Sequence, residues 1–181
     1  MQKRLSGRGG KVAMLKLNTR RVVGHMEIAA MGLKAKTVSH QDRSGRTRNV
    51  ITSDALGTME DGNDGSVFWE SSAMTGPKLK KGAELARARK DADFDGLLNW
   101  KTWYKSAETA GVDTVDGQPA WQVVLTPNEG PIETWFFAQE SRLPVKTSMK
   151  VDTDQGVIPI DLFMGDYRSV DGVMVGFKVR Q

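Results

Sequence analysis

The chain has 181 residues, no cysteine, two histidines and a formal net charge of +4. That length suits one domain able to bury roughly 70% of the surface its unfolded form exposes. The absence of cysteine excludes thiol catalysis, disulfide frameworks and cysteine-based metal sites, and leaves the compartment open. The charge is uneven. Residues 1–50 hold 12 Lys or Arg against two acids (Glu27 and Asp42), a net of +10, and the remainder hold 14 against 20, a net of −6. No basic run is long or dense, so the split reads as two halves attracting each other rather than as a nucleic-acid surface. No apolar run approaches the roughly 18 residues of a membrane span. The start, "MQKRLSGRGGK", is basic with no apolar core behind it, so an exported protein would have lost its signal peptide before this sequence begins.

In chain order, "GGKVAMLKL" (9–17) fits a helix and a strand equally well. Val22, Met26, Ile28 and Ala30 then alternate with His25 and Glu27, the period-2 pattern of a half-buried strand. Ser44-Gly45 marks a turn. "EDGNDGS" (60–66) has the acids of a calcium loop without its spaced ligands or closing glutamate, so it reads as a hairpin turn before the strand around Val67–Glu70. Gly76 and Pro77 open an insert. "GAELARARKDADF" (82–94) is rich in helix formers, with Leu85, Ala88 and Ala92 at helical spacing. "LLNWKTWY" places Leu97, Trp100, Trp103 and Tyr104 on one side of a second, short helix.

Strands resume after that. Asp116-Gly117 leads into Ala120–Leu125, and Pro127-Asn128-Glu129-Gly130 closes the run. In 142–151, Leu143, Val145, Thr147, Met149 and Val151 are predicted on one face and Arg142, Lys146, Ser148 and Lys150 on the other. Ile158, Ile160, Leu162 and Met164 share a face in 157–167. Gln155-Gly156 and Asp171-Gly172 supply turns, and Val173, Val175, Phe177 and Val179 oppose Lys178 and Arg180 in the last run. The repeated Val-Asp-Gly is hairpin punctuation, its aspartates tolerating positive φ. Strands, one helical insert, then strands again predict an α+β fold with helices on one face of an antiparallel sheet.

Catalytic patterns are missing. No nucleophile elbow or phosphate-cradling glycine loop occurs, and His25 and His40 lie on separate strands without partner carboxylates, so no metal or cofactor is expected. What stands out instead is five Trp and nine Met in a small domain. Met fills irregular apolar space and suits surfaces that accept varied ligands. Trp69, Trp121, Trp135, Phe137 and Phe163 all fall on predicted strands, as ordinary core or as the lining of an apolar cavity.

Three stretches carry a family resemblance. In "DGSVFWESSAMTGPKLKKGAELARARKDADFDGLLNWKTWY" (64–104), Trp69, Gly76, Pro77, Gly82, Glu84, Phe94, Trp100 and Tyr104 occupy motif positions. "VDGQPAWQVVLTPNEGPIETWFFAQESRLPVK" and the closing "DYRSVDGVMVGFKVRQ" follow in register. Together they resemble the bacterial outer-membrane lipoprotein-sorting proteins, the LolA/LolB-like group. Phe136-Phe137-Ala138 stands where the group has Tyr-Phe-Asp, and Gly176 where it has Pro. The resemblance implies a strongly curved antiparallel sheet, a half-barrel, whose concave face is covered by the helical insert. It implies one LolA-like domain over 1–181, with the signal peptide and most of the N-terminal helix absent. The function implied is periplasmic, non-catalytic, carrier-type binding of acyl chains from a lipid or lipoprotein anchor, by a monomer with no cofactor and no nucleic-acid partner. The alternative is a sensor or scaffold of the same fold that binds a membrane-associated protein. The expected cavity lining is Trp121, Trp135, Phe137, Met149, Ile160, Leu162 and Met164, with Leu85, Trp100 and Trp103 from the helical cover. An enzyme would instead converge carboxylates, drawn from Asp91, Asp93, Asp95 and Asp161.

Overall fold

A computed structural model of the chain describes residues 6–28, 32–153 and 156–181. The predicted class is what it has: antiparallel sheet dominates, helices are few, and no sheet closes into a barrel. The strands form two open six-stranded sheets. Each is a meander in which every strand pairs with its sequence neighbour. The first comprises β1 (Thr19–Ile28), β2 (Leu33–Asp42), β3 (Thr47–Ser53), β4 (Gly57–Asn63), β5 (Phe68–Ser72) and β6 (Gly76–Leu79). The second comprises β7 (Tyr104–Val115), β8 (Gln118–Pro127), β9 (Glu133–Ala138), β10 (Pro144–Thr153), β11 (Gly156–Val170) and β12 (Val173–Arg180). The chain divides into two compact units accordingly, residues 17–96 and residues 1–16 with 97–181.

The ambiguous N-terminal segment is a helix, α1 (Gly10–Lys16), preceded by a 3₁₀ turn at Ser6–Arg8. Both pack near β12. A Cβ on Gly9, whose φ is +99°, would sit 2.0 Å from the Gly172 carbonyl oxygen, so that close approach needs glycine. The insert holds α2 (Gly82–Ala92), with Glu84 in its first turn and Arg89 and Lys90 in its last, as the helix dipole favours. The second predicted helix shrinks to one turn, α3 (Trp100–Trp103), because Tyr104 is already extended and starts β7. β6 was not foreseen. It is a four-residue edge strand, where Pro77 can sit without breaking a ladder.

The hairpin reading of Val-Asp-Gly holds in detail. Asp116 and Gly117 have φ of 46° and 79°, and Asp171 and Gly172 have 51° and 79°, both residues of each turn left-handed as a tight hairpin requires. Asp64 accepts hydrogen bonds from the Ser66 and Val67 amides, which makes 63–66 a turn. Residues 154 and 155 of the Gln155-Gly156 turn, and Ala30 of the first predicted strand, lie outside the described residues.

One alternation is corrected. A bulge between Pro144 and Lys146 inserts Val145 as an extra residue against β9, shifting parity by one. Val145 therefore packs against the cluster of Val115, Ala120 and Phe136, as Phe163 does, on the side opposite Thr147 and Met149.

Candidate functional site: an apolar sheet face and a polar cleft

The site is best built from the register of the second sheet, because residues paired across antiparallel strands project from the same face. Trp121 stands opposite Val112 of β7 and Phe137 of β9. Val123 pairs with Trp135, Trp135 with Thr147, and Thr147 with Leu162. Leu125 pairs with Glu133, Glu133 with Met149, and Met149 with Ile160. Met164, two residues beyond Leu162, pairs with Val179. Thus Trp121, Trp135, Phe137, Met149, Ile160, Leu162 and Met164, predicted from three separate stretches, share one face.

That face is graded. Along β8 and β9 it is closed: Val123, Leu125 and Phe137 are buried, packed by Tyr104, Ala107 and Trp135, with the Trp135 and Phe137 rings stacked at 6.0 Å. Toward β10, β11 and β12 it opens. Met149, Ile160, Leu162 and Met164 are half-buried, and Ile158, Phe177 and Val179 are exposed. Trp121 is 42% exposed. An apolar row left this open on a sheet is the kind of surface that marks an interaction site.

One carboxylate interrupts the row, and sequence reasoning missed it. Glu133 is buried, and one of its carboxylate oxygens accepts hydrogen bonds from the Tyr104 hydroxyl and the Trp135 Nε1–H, each at 2.9 Å. Those two donors fix the aromatic side chains and offset the cost of burying a carboxylate. The signal was available: Glu133 has the same parity as Trp135 and Phe137.

The opposite face carries a small core of its own. Val115, Ala120 and Phe136 are buried there against Val145 and Phe163. Lys146 lies over the Phe136 and Phe163 rings, and Arg180 over Phe163 at 4.2 Å. Lys146 also pairs with Asp161 at 2.8 Å, and its hydrogen bond, with that of Ser148, holds the Asp161 carboxyl below its ordinary range. Tyr167 donates to the Pro144 carbonyl at 2.6 Å, and burial pushes its phenol up while the nearby Arg8 charge opposes that.

The expected helical cover divides. Trp100 and Trp103 are half-buried on α3, in the same unit as the second sheet, with Lys101 over the Trp100 ring. Leu85 is half-buried on α2, in the unit of residues 17–96. Under α2 lies a cleft of about 540 Å³, and its lining is polar. Two cross-strand rows floor it: Ser39, Asn49, Asp61 and Glu70, then Gln41, Thr47 and Phe68. Part of the first row is internally bonded, and lysines hold its last member. Ser39 donates to Asn49 at 2.6 Å, Asn49 to Asp61 at 3.1 Å, and Lys78 and Lys80 each reach Glu70 at 2.9 Å. Those two lysines hold the Glu70 carboxyl below its ordinary range. Gln41 fastens the end of α2 by donating to the Ala92 carbonyl at 2.9 Å. The same face turns apolar at its other end, where Leu33 and Ala35 are buried.

The four aspartates considered for acid–base work are each engaged by neighbouring groups and do not converge. Asp95 pairs with Arg43, Asp161 with Lys146, Asp93 accepts the Asp95 amide at 3.0 Å, and Asp91 lies 3.7 Å from Arg87. Among the described residues, no cluster of three or more His, Asp or Glu gathers as metal ligands.

No family model and no curated protein matches the sequence. Solved structures do match in fold. A LolA superfamily protein from Nitrosomonas europaea superposes with a TM-score of 0.62 at 12% identity, over 98% of this chain and 83% of that one. A domain named for outer membrane lipoprotein sorting, from Vibrio parahaemolyticus, gives 0.56 at 10% identity, over 98% and 81%. A DUF1329 family protein from Desulfovibrio piger gives 0.55 at 13% identity, over 94% and 82%. At such identities the likeness is one of fold, and the fold is the antiparallel, sheet-dominated one of LolA-like and lipoprotein-sorting structures.

Proposed function

We propose that residues 1–181 form one periplasmic, non-catalytic binding domain that takes up acyl chains of a lipid or lipoprotein anchor on the open apolar face of the second sheet. The observation that carries this reading is the shared face of Trp121, Met149, Ile160, Leu162 and Met164, apolar yet accessible. The fold likeness to structures named for lipoprotein sorting supports the carrier class and the exported location. The physics is that of reversible burial. Each methylene laid on such a face contributes about 0.8 kcal/mol, so a chain contacting eight of them is held by about 6 kcal/mol without a covalent bond.

Native mass spectrometry of the freshly purified protein, followed by solvent extraction, tests this. A stoichiometric fatty acid or phospholipid adduct is expected, lost in Leu162→Asp and Trp121→Asp. A clean apo mass, with no tryptophan fluorescence change on titrating fatty acid, overturns it and leaves the face to a protein partner.

A further inference from the structure

Two open sheets leave four edge strands, β1, β6, β7 and β12. An edge presents unpaired N–H and C=O groups that another chain can take up, unless charge, proline, bulges or shortness blunt it. Three of these edges are blunted. β6 has four residues and contains Pro77. β7 is interrupted by two bulges, between Tyr104 and Ser106 and between Thr109 and Gly111, and carries Lys105, Glu108 and Asp113. β1 carries Arg20, Arg21, His25 and Glu27 along its length.

β12 is the exception. It has eight residues and no proline, and it keeps one register with β11 from Val173 opposite Val170 to Arg180 opposite Phe163. Among the described residues it has a ladder partner on that side only. Val175, Phe177 and Val179 alternate along one of its faces at 36%, 54% and 64% exposure, a β-forming apolar set beside an open edge. Its cations, Lys178 and Arg180, lie on the other face, and Arg180 is drawn inward by Asp116 at 3.2 Å and by the Phe163 ring. The N-terminal segment meets the start of β12, where Gly9 lies against Gly172 and Val173.

We infer that β12 pairs antiparallel with β12 of a second copy about a two-fold axis at Phe177, joining the second sheets of a homodimer edge to edge. The register follows from the residues. Centred on Phe177, Val175 faces the partner's Val179, Gly176 the partner's Lys178, and Met174 the partner's Arg180. No cation then stands directly opposite a cation, and the apolar residues of both copies form one row. Centring on Lys178 would oppose that lysine to itself, and a slip of one residue would set Val175 against Lys178 or Arg180. Centring on Gly176 would carry the ladder into the Asp171-Gly172 turn, where Ala13 of α1 packs. Val179 also stands opposite Met164, so the second copy extends the open apolar face with its own three residues. The inference rests on the edge and not on acyl binding, and it departs from the monomer that the resemblance implies.

Sedimentation velocity of the full chain from about 1 μM to about 1 mM tests this, the span in which an interface of strand size dissociates. A monomer–dimer equilibrium is expected. Phe177→Lys, which opposes like charges at the axis, should weaken it at least about tenfold. Val23→Lys on the edge strand β1, where Val23 is 46% exposed, should leave it unchanged. The chain has no cysteine, so single introduced ones report the register. Across the axis the Cβ atoms of Phe177→Cys lie about 5 Å apart, near disulfide geometry, whereas those of Val175→Cys lie about 13 Å apart along the strands. Mild oxidation should link Phe177→Cys into a covalent dimer and leave Val175→Cys monomeric. A single monomeric species across that range, a dimer indifferent to Phe177→Lys, or linking of Phe177→Cys no faster than of Val175→Cys overturns the inference.

Discussion

Replacing Leu125 and Leu162 by alanine, one at a time, separates core from site on the proposed acyl face. The two side chains lose the same three carbon groups, about 2.4 kcal/mol of transfer free energy when fully buried. Leu125 is 1% exposed, enclosed by Val123, Phe137, Tyr104 and Trp135. Its removal leaves a closed void, and the total rises to about 3–4 kcal/mol. Leu162 is half-buried and stands at the opening side of the face, so roughly half the transfer term applies and no sealed void forms, about 1 kcal/mol. In a chain this size each kcal/mol lowers Tm by about 2–4 °C, so the expected losses are about 6–16 °C and about 2–4 °C. Urea denaturation should show the same ordering in the midpoint with unchanged slope. Fatty-acid affinity, read by tryptophan fluorescence, should fall for Leu162→Ala and hold for Leu125→Ala below its melting range. Equal destabilisation by the two substitutions would refute the reasoning, since Leu162 would then be sealed core with no room for a chain.

Two further expectations concern local structure. Gly117→Ala should cost about 1–2 kcal/mol from backbone conformation alone, because φ is +79° while a Cβ there meets nothing within 4 Å; an unchanged urea midpoint contradicts the hairpin. Asp42 is held at about 2, down from 3.8, by hydrogen bonds from Ser44 and Arg46. Its folded pKa lies below the unfolded value, so its contribution is complete above about pH 4 and disappears as pH falls toward 2. Asp42→Asn should therefore flatten the decline of Tm between about pH 4 and pH 2, and an identical slope to wild type removes Asp42 from the acid response.

Much of the fold was legible because its determinants are local. Period-2 alternation follows from strand geometry, and Asp-Gly pairs follow from the few residues that tolerate left-handed φ, so β11, β12 and the hairpins at Asp116-Gly117 and Asp171-Gly172 could be read directly. The seven residues proposed from the second sheet share a face for the same reason: parity within each strand survives as long as the register does. Where one residue intervenes it fails, and the bulge at Pro144/Lys146 moves Val145 to the other side without any local sequence mark.

By itself the sequence determined the α+β class, most strands, the principal helix and the turns, all matters of sterics and periodicity over a few residues. Tertiary structure alone decided that the strands sort into two six-stranded meanders, that Glu133 is buried with Tyr104 and Trp135 as donors, and that α2 covers polar rather than apolar surface. These outcomes depend on which distant residues stand opposite one another. Ser39, Asn49, Asp61 and Glu70 are scattered over four strands and become a single cross-strand row only when the ladders close.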